Sequence, residues 1–155
     1  MATTSLRTTV QARLVEVFTT ALATAGVDGG QVPVHWSMPG ERATREHVWF
    51  DQTDGTVEIS AMRAGRKPRV DEFDIDVVVV ANSPGSTARQ AAERSEELYG
   101  LLESVIANDP SLGGGILGLQ WVRVGRVRGP LCRPTDPAGW RAVWRLTLSC
   151  HTRLE

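Results

Sequence analysis

The sequence is short of cysteine, lysine, histidine and long apolar runs, and each shortage closes off a class of protein. Cys132 and Cys150 are its only cysteines. Two thiols without a secretion signal do not make a disulfide framework, and without a C-x-x-C they do not make a zinc site. His35, His47 and His151 stand in no ligand spacing, so each reads as a strand or surface residue. No stretch approaches the ~18 apolar residues that a membrane span needs. The opening MATTSLRTTVQARL lacks the apolar core of a signal peptide. Together these shortages predict a soluble, cytoplasmically made product with no membrane partner. Lys67 is the only lysine among 17 basic residues. With the glycine and alanine content, that points to a GC-rich coding genome and says nothing of mechanism.

What is present is ordinary for a globular protein. The length of 155 residues predicts one domain, spanning 1–155, with its own core. Apolar residues make up 41% and charged residues 23%. The net charge of −1 hides an asymmetry. Residues 1–120 carry 10 Lys/Arg against 16 Asp/Glu, whereas residues 121–155 carry 7 Arg against 2 acids. One acidic and one basic surface suit head-to-tail self-association. They equally describe two solvated faces of a monomer.

The chain is organised around residues 70–115. VDEFDIDVVVVA reads as the central strand, with Phe73, Ile75, Val77, Val79 and Ala81 on one face. Glu72, Asp74 and Asp76 occupy the other face and give way to Val78 and Val80. One end of the strand is therefore half exposed and the other covered on both sides. Asn82 to Ser86 is a turn, and a helix from about Thr87 to Asn108 follows. Its apolar stripe is Ala88, Ala91, Ala92, Leu98, Leu101, Leu102, Val105 and Ile106. Asp109-Pro110 stops it, and Gly113-Gly114-Gly115 hands over to another strand.

Before this unit, residues 5–25 form a helix capped by Ser5 and closed by Gly26. Gln31–Ser37 is a short strand, and Pro33 places it at an edge or marks a strand start. Glu46–Asp51 and Thr56–Met62 read as two strands joined in a hairpin at Asp54-Gly55. The basic run RAGRKPR, residues 63–69, is either a loop that grips a partner or nucleic acid, or a solvated hairpin tip. It has no aromatic residue for base stacking. After the second helix, Ile116–Val127 is a strand with a bulge near Gly118 or Gly125. Gly129–Gly139, with three prolines, reads as an irregular loop. The last strand shows the cleanest alternation: Trp140, Ala142, Trp144, Leu146, Leu148, Cys150 and Leu154 against Arg141, Arg145, Thr147, Ser149, His151 and Arg153, with Val143 the exception. The fold class is α+β, a single mixed, mainly antiparallel sheet with two long helices packed on one face.

No catalytic constellation emerges. Cys150 beside His151 is tempting as a nucleophile and base, but strand neighbours point to opposite faces. Gly113-Gly114-Gly115 follows a helix, the wrong order for a phosphate cradle. Of Asp71, Glu72, Asp74 and Asp76, only the last three share a face. They either solvate that face or pair across the sheet with arginines such as Arg141 and Arg145.

The segments EFDIDVVVVA and ARQAAERSEELYGLLESVIANDPSLGGGI resemble the tail terminator proteins of long-tailed bacteriophages, especially those of actinobacteria. The most specific piece is Asp109-Pro110-Ser111-Leu112-Gly113-Gly114, and Val32-Pro33-Val34 after the first helix fits the family's opening. The resemblance covers most of the chain, in element order more than in identity. It implies a non-catalytic virion protein of the tail and neck, with no cofactor or metal. Such proteins form a homo-hexameric ring on the tail tube, stop its polymerisation and join it to head-completion or connector proteins. DNA passes through the lumen without specific binding. Under this resemblance Arg63, Arg66, Lys67 and Arg69 become candidates for docking to a partner. So do the rim loops 38–45 and 129–139. Asp74, Asp76, Arg141 and Arg145 become candidates for a subunit interface or the lumen. The rival readings are another neck component, such as a stopper or minor capsid protein, and a small cytosolic enzyme or ligand-binding domain using Trp36, Trp49 or Trp121.

Overall fold

The structure is a computed structural model that describes residues 5–40, 46–59, 69–84, 87–135 and 139–154. The first helix, α1 (Arg7–Ala21), is shorter than its apolar stripe predicted. Ser5 lies outside the cap position, and its hydroxyl accepts from the Arg7 N–H and donates to Asp71 Oδ2 at 2.9 Å. It therefore ties the helix start to the sheet. Gly26 does not close the helix in a left-handed cap, since its φ is −69°. It is needed for closeness instead: its N–H donates to Gly30 O at 2.7 Å, and a Cβ there would lie 2.6 Å from that oxygen.

Strand β1 (Val34–His35) is two residues long and runs parallel to β2 (Glu46–Ile59). β2 corrects the expected hairpin, because it passes straight through Asp54-Gly55. Gly55 lies opposite Phe73 of the neighbouring strand, where a Cβ would come within 2.3 Å of Glu72 O. The glycine permits close strand approach rather than a turn. The irregularity is a bulge between Phe50 and Thr53.

Strand β3 (Arg69–Pro84) is central and alternates as its sequence predicts. Phe73, Ile75, Val77 and Val79 are buried in the main core, while Glu72 and Asp74 are exposed. Toward its C-terminal end Val78 and Val80 are buried as well, in a second cluster with Trp49 and Val143. Helix α2 (Ala88–Asn108) starts at Thr87, whose Oγ1 accepts from the Gln90 N–H while Gln90 Oε1 accepts from the Thr87 N–H.

Past α2 the Asp-Pro-Ser-Leu-Gly-Gly segment is a knot of local bonds. Asp109 accepts from Ser111 Oγ and the Gly113 N–H, both at 2.7 Å. The Ser111 bond, aided by Gly113, holds the Asp109 carboxyl below its ordinary range. Leu112, in a left-handed conformation (φ 53°), plugs the core, and its carbonyl accepts from Arg13 Nε of α1 at 3.0 Å.

Strand β4 (Leu119–Thr135) corrects a second expectation: it runs on through Pro130 and Pro134, where an irregular loop was expected. The sheet order β1-β2-β3-β5-β4 makes β4 an edge, and an edge strand tolerates residues that lack an N–H. The expected loop's residues 136–138 lie outside the described residues, and β5 (Gly139–Leu154) follows them. The register shift between Val124 and Arg126 falls on Gly125, where a bulge was expected. Among the described strands only β1–β2 is parallel, so the sheet is mixed and mainly antiparallel in an α+β fold. Val10, Leu14 and Phe18 of α1 and Leu98, Leu102 and Ile106 of α2 join one cluster with Phe73, Ile75, Val77, Leu146 and Leu148.

Candidate interaction surface

Strand alternation gives β2–β5 a second, mostly polar set of side chains. The β3–β5 register pairs Glu72 with His151, Asp74 with Ser149, Asp76 with Thr147, Val78 with Arg145 and Asn82 with Arg141. The β4–β5 register adds Arg126 opposite Thr147, Arg128 opposite Arg145 and Arg133 opposite Arg141. An acidic row on β3 thus runs beside an arginine row on β4 and β5. A shallow concavity of about 710 Å³ lies between them, lined by Asp54, Asp74, Asp76, Arg126, Arg128 and Arg145.

Of the two alternatives, solvation or pairing, the pairing of the acidic row with Arg141 and Arg145 does not form among the described residues. Arg145 donates to Asp51 Oδ2 at 3.3 Å, on β2. Asp76 accepts from Thr147 Oγ1 at 3.0 Å, and Glu72 meets His151 Nδ1 at 2.9 Å. Arg141 lies opposite Asn82, and its Nε is buried without a hydrogen-bond partner. Asp74, Asp76 and Arg145 share the concavity, and Arg141 lies off its lining. Near the opposite end of β5, Trp121 stacks on His151 with centroids 5.4 Å apart, and Arg123 lies 4.4 Å over Trp121.

Of the basic run, Arg63, Arg66 and Lys67 lie outside the described residues, as does 41–45 of the first rim loop. Arg69 is the first residue of β3, half-buried and opposite Ile59 and Leu154. The three tryptophans have separate neighbours: Trp49 stacks on His47 at 5.2 Å, Trp121 on His151, and the exposed Trp36 gives its carbonyl to Gln11. Among the described residues no group of three or more His, Cys, Asp or Glu could hold a metal ion. Among the same residues no helix is long and apolar enough to cross a membrane.

Two buried ion pairs escaped the sequence reading. Asp71, on the core side of β3, is held by Arg7 at 2.9 Å and by Ser5. Its place in the odd-numbered stripe with Phe73 and Ile75 was the available signal. Glu46 of β2 accepts from Nε and Nη2 of Arg94 on α2, at 2.6 and 2.8 Å. Nothing in the sequence pairs those two.

Cys150 and His151 do fall on opposite sides of β5. Burial, with a smaller contribution from the charge of Asp74, pushes the Cys150 thiol up to about 12. A thiolate is the reactive form. A maleimide or disulfide reagent at pH 8 is therefore expected to label the half-buried Cys132 and leave Cys150 untouched until the protein unfolds. Mass spectrometry of the labelled peptides checks this; equal labelling of both would mean that β5 opens readily.

No family profile matches the chain, and no curated protein matches it. Among solved structures it is similar to a chain of the "Virion of native gene transfer agent (GTA) particle". That similarity covers 94% of this chain and 95% of the other, at 14% identity and a TM-score of 0.43. Values this low tie neither the fold nor the role of this chain to that particle.

Proposed function

We propose that this chain is a structural virion subunit that closes into a ring of six at the end of a phage tail tube. The ring stops tube polymerisation and presents a surface for head-completion proteins. The observation that carries the reading is the division of the molecule into two sides. In this reading α1 and α2 cover one face of the sheet, and the other keeps the acidic and arginine rows apart and largely unneutralised. A surface of split sign suits contact with copies of itself. The Asp109–Gly114 segment adds support from sequence, since the piece most like the terminator family is what clips α2 to α1 through Arg13. Asp74 and Asp76 keep DNA from adhering to the lumen in this proposal, while Arg66, Lys67 and Arg69 dock the tube.

The test is mass by light scattering on the purified chain, alone and with tail-tube protein from the same genome, followed by negative-stain imaging. Six-fold rings, or six-fold caps on tube ends, are the expected result. A chain that stays monomeric and leaves tube ends bare would remove the proposal. Exchanging Arg66, Lys67 and Arg69 together for Ser should lower tube capping and leave the monomer's fold intact; unchanged capping would relieve those residues of the docking role.

A further inference from the structure

The β4–β5 register places like charges side by side twice on one face. Arg128 opposes Arg145, and Arg133 opposes Arg141. Directly opposed like charges destabilise an antiparallel pair. Of these four arginines only Arg145 finds a carboxylate among the described residues, and that one, Asp51, is half exposed. Among the described residues no carboxylate pairs with Arg128, Arg133 or Arg141. Between the two arginine pairs stands Leu131, 53% exposed. The patch therefore has an apolar centre and a cationic rim, the arrangement of a protein interface rather than of a solvated strand.

The complement is on α2. Its buried residues Ala91, Leu98, Leu102 and Ile106 face the core, and Glu93, Glu96, Glu97 and Glu103 are exposed. Glu93 and Glu97 bond to Arg89 and Arg94, while Glu96 and Glu103 make no ion pair among the described residues. We propose that the Arg128–Leu131–Arg133–Arg141 patch of one copy docks on the outer face of α2 of a second copy, with Glu96 and Glu103 meeting the arginines. The inference rests on the self-assembly part of the functional reading and specifies which surfaces touch. The two patches differ, so the contact is head-to-tail, and repeated contacts of that kind close into a ring or run on as a filament. A nucleic-acid backbone fits the same arginines less well, because Glu72, Asp74 and Asp76 run along the same face and repel it.

Charge reversal tests the contact. Arg128→Glu/Arg133→Glu and, separately, Glu96→Arg/Glu103→Arg exchange exposed side chains, and circular dichroism is expected to match the parent; the melting temperature should not fall for Arg128→Glu/Arg133→Glu, which replaces two opposed like-charge pairs by opposite-charge pairs, and should stay near the parent's for Glu96→Arg/Glu103→Arg. Each variant alone should need at least about tenfold more protein to associate, read by sedimentation velocity at low salt. Mixed one to one, the two variants present complementary patches at every junction, and association should return. A single chain with all four substitutions should associate as the parent does. If the parent associates and both double variants do so equally well, the contact is wrong while the ring reading stands. If the parent associates and neither the mixture nor the quadruple variant recovers, the contact is also wrong. If the parent stays monomeric alone and with tube ends, both readings fall. If Arg128→Glu/Arg133→Glu instead abolishes binding to a random-sequence DNA duplex and leaves association unchanged, the patch serves nucleic acid and the proposal is overturned.

Discussion

Arg94→Ala is expected to lower the unfolding free energy by about 3–5 kcal/mol, because it strands the carboxylate of Glu46. The Glu46 side chain is 9% exposed and accepts from Nε and Nη2 of the guanidinium. Arg94 also donates to the Ala25 carbonyl, just past α1, and to Glu97. The bond to Glu46, against the cost of burial, holds Arg94 above even the ordinary arginine range. One side chain on α2 thus ties down β2 and the segment after α1. Urea unfolding followed by far-UV circular dichroism measures the loss. Arg94→Lys keeps the charge and cannot reproduce the two-pronged geometry, so it should recover only part of it. Arg94→Ala/Glu46→Leu removes both charges and is expected to be less destabilised than Arg94→Ala alone. A loss below ~1 kcal/mol for Arg94→Ala would place Glu46 in water and overturn this account of the α2–β2 contact.

Gly55→Ala should cost about 3 kcal/mol, at the upper end for overpacking. The added Cβ would meet Glu72 O at 2.3 Å and Phe73 Cα at 2.5 Å, both backbone atoms that no rotamer change can move. β2 and β3 must separate, in the middle of the sheet and beside buried Phe73. Gly100→Ala is the matched control. It sits in α2 with nothing within 4 Å of the new methyl, and alanine is the better helix former, so it should stabilise by up to ~1 kcal/mol. Opposite signs for the two glycines, in the same denaturation experiment, are the expected result. A neutral Gly55→Ala would mean that the strands are not in this register.

The same glycine shows why parts of the fold were illegible. Asp54-Gly55 has the chemistry of a two-residue turn, and Asp54 Oδ1 does accept from the Gly55 N–H at 2.8 Å as in many turns. What overrides it is tertiary: the neighbouring backbone needs the space. Pro130 and Pro134 misled in the opposite direction, because a proline-rich stretch is barred from a sheet interior but not from its edge, and which strand lies at the edge is decided by the order β1-β2-β3-β5-β4. By contrast β3, α2 and β5 were readable, since each must bury an unbroken stripe of period 2 or 3.6. Asp74, Asp76 and Arg145 could be assigned to the polar face for the same reason, as charged residues at alternate positions of a periodic strand. The juxtaposition of Arg128 with Arg145 and of Arg133 with Arg141 depends on a register shift between Arg128 and Leu131, which no local pattern encodes.

The placement of β3 between β2 and β5 also has a kinetic consequence. Val77 pairs with Phe50 on one side and with Leu146 on the other, so one edge can close early in synthesis and the second waits until β5 has been made. Until β5 leaves the ribosome, the run Val77–Val80 presents an open row of backbone donors and acceptors in a strongly β-forming segment. Closing it requires a loop of almost half the protein, which is slow. Temperature and expression rate should therefore govern the yield of this chain more than its final stability does, and α2, which lies between the two partners in sequence and packs on Val77 and Val79, is the part that shelters the waiting strand.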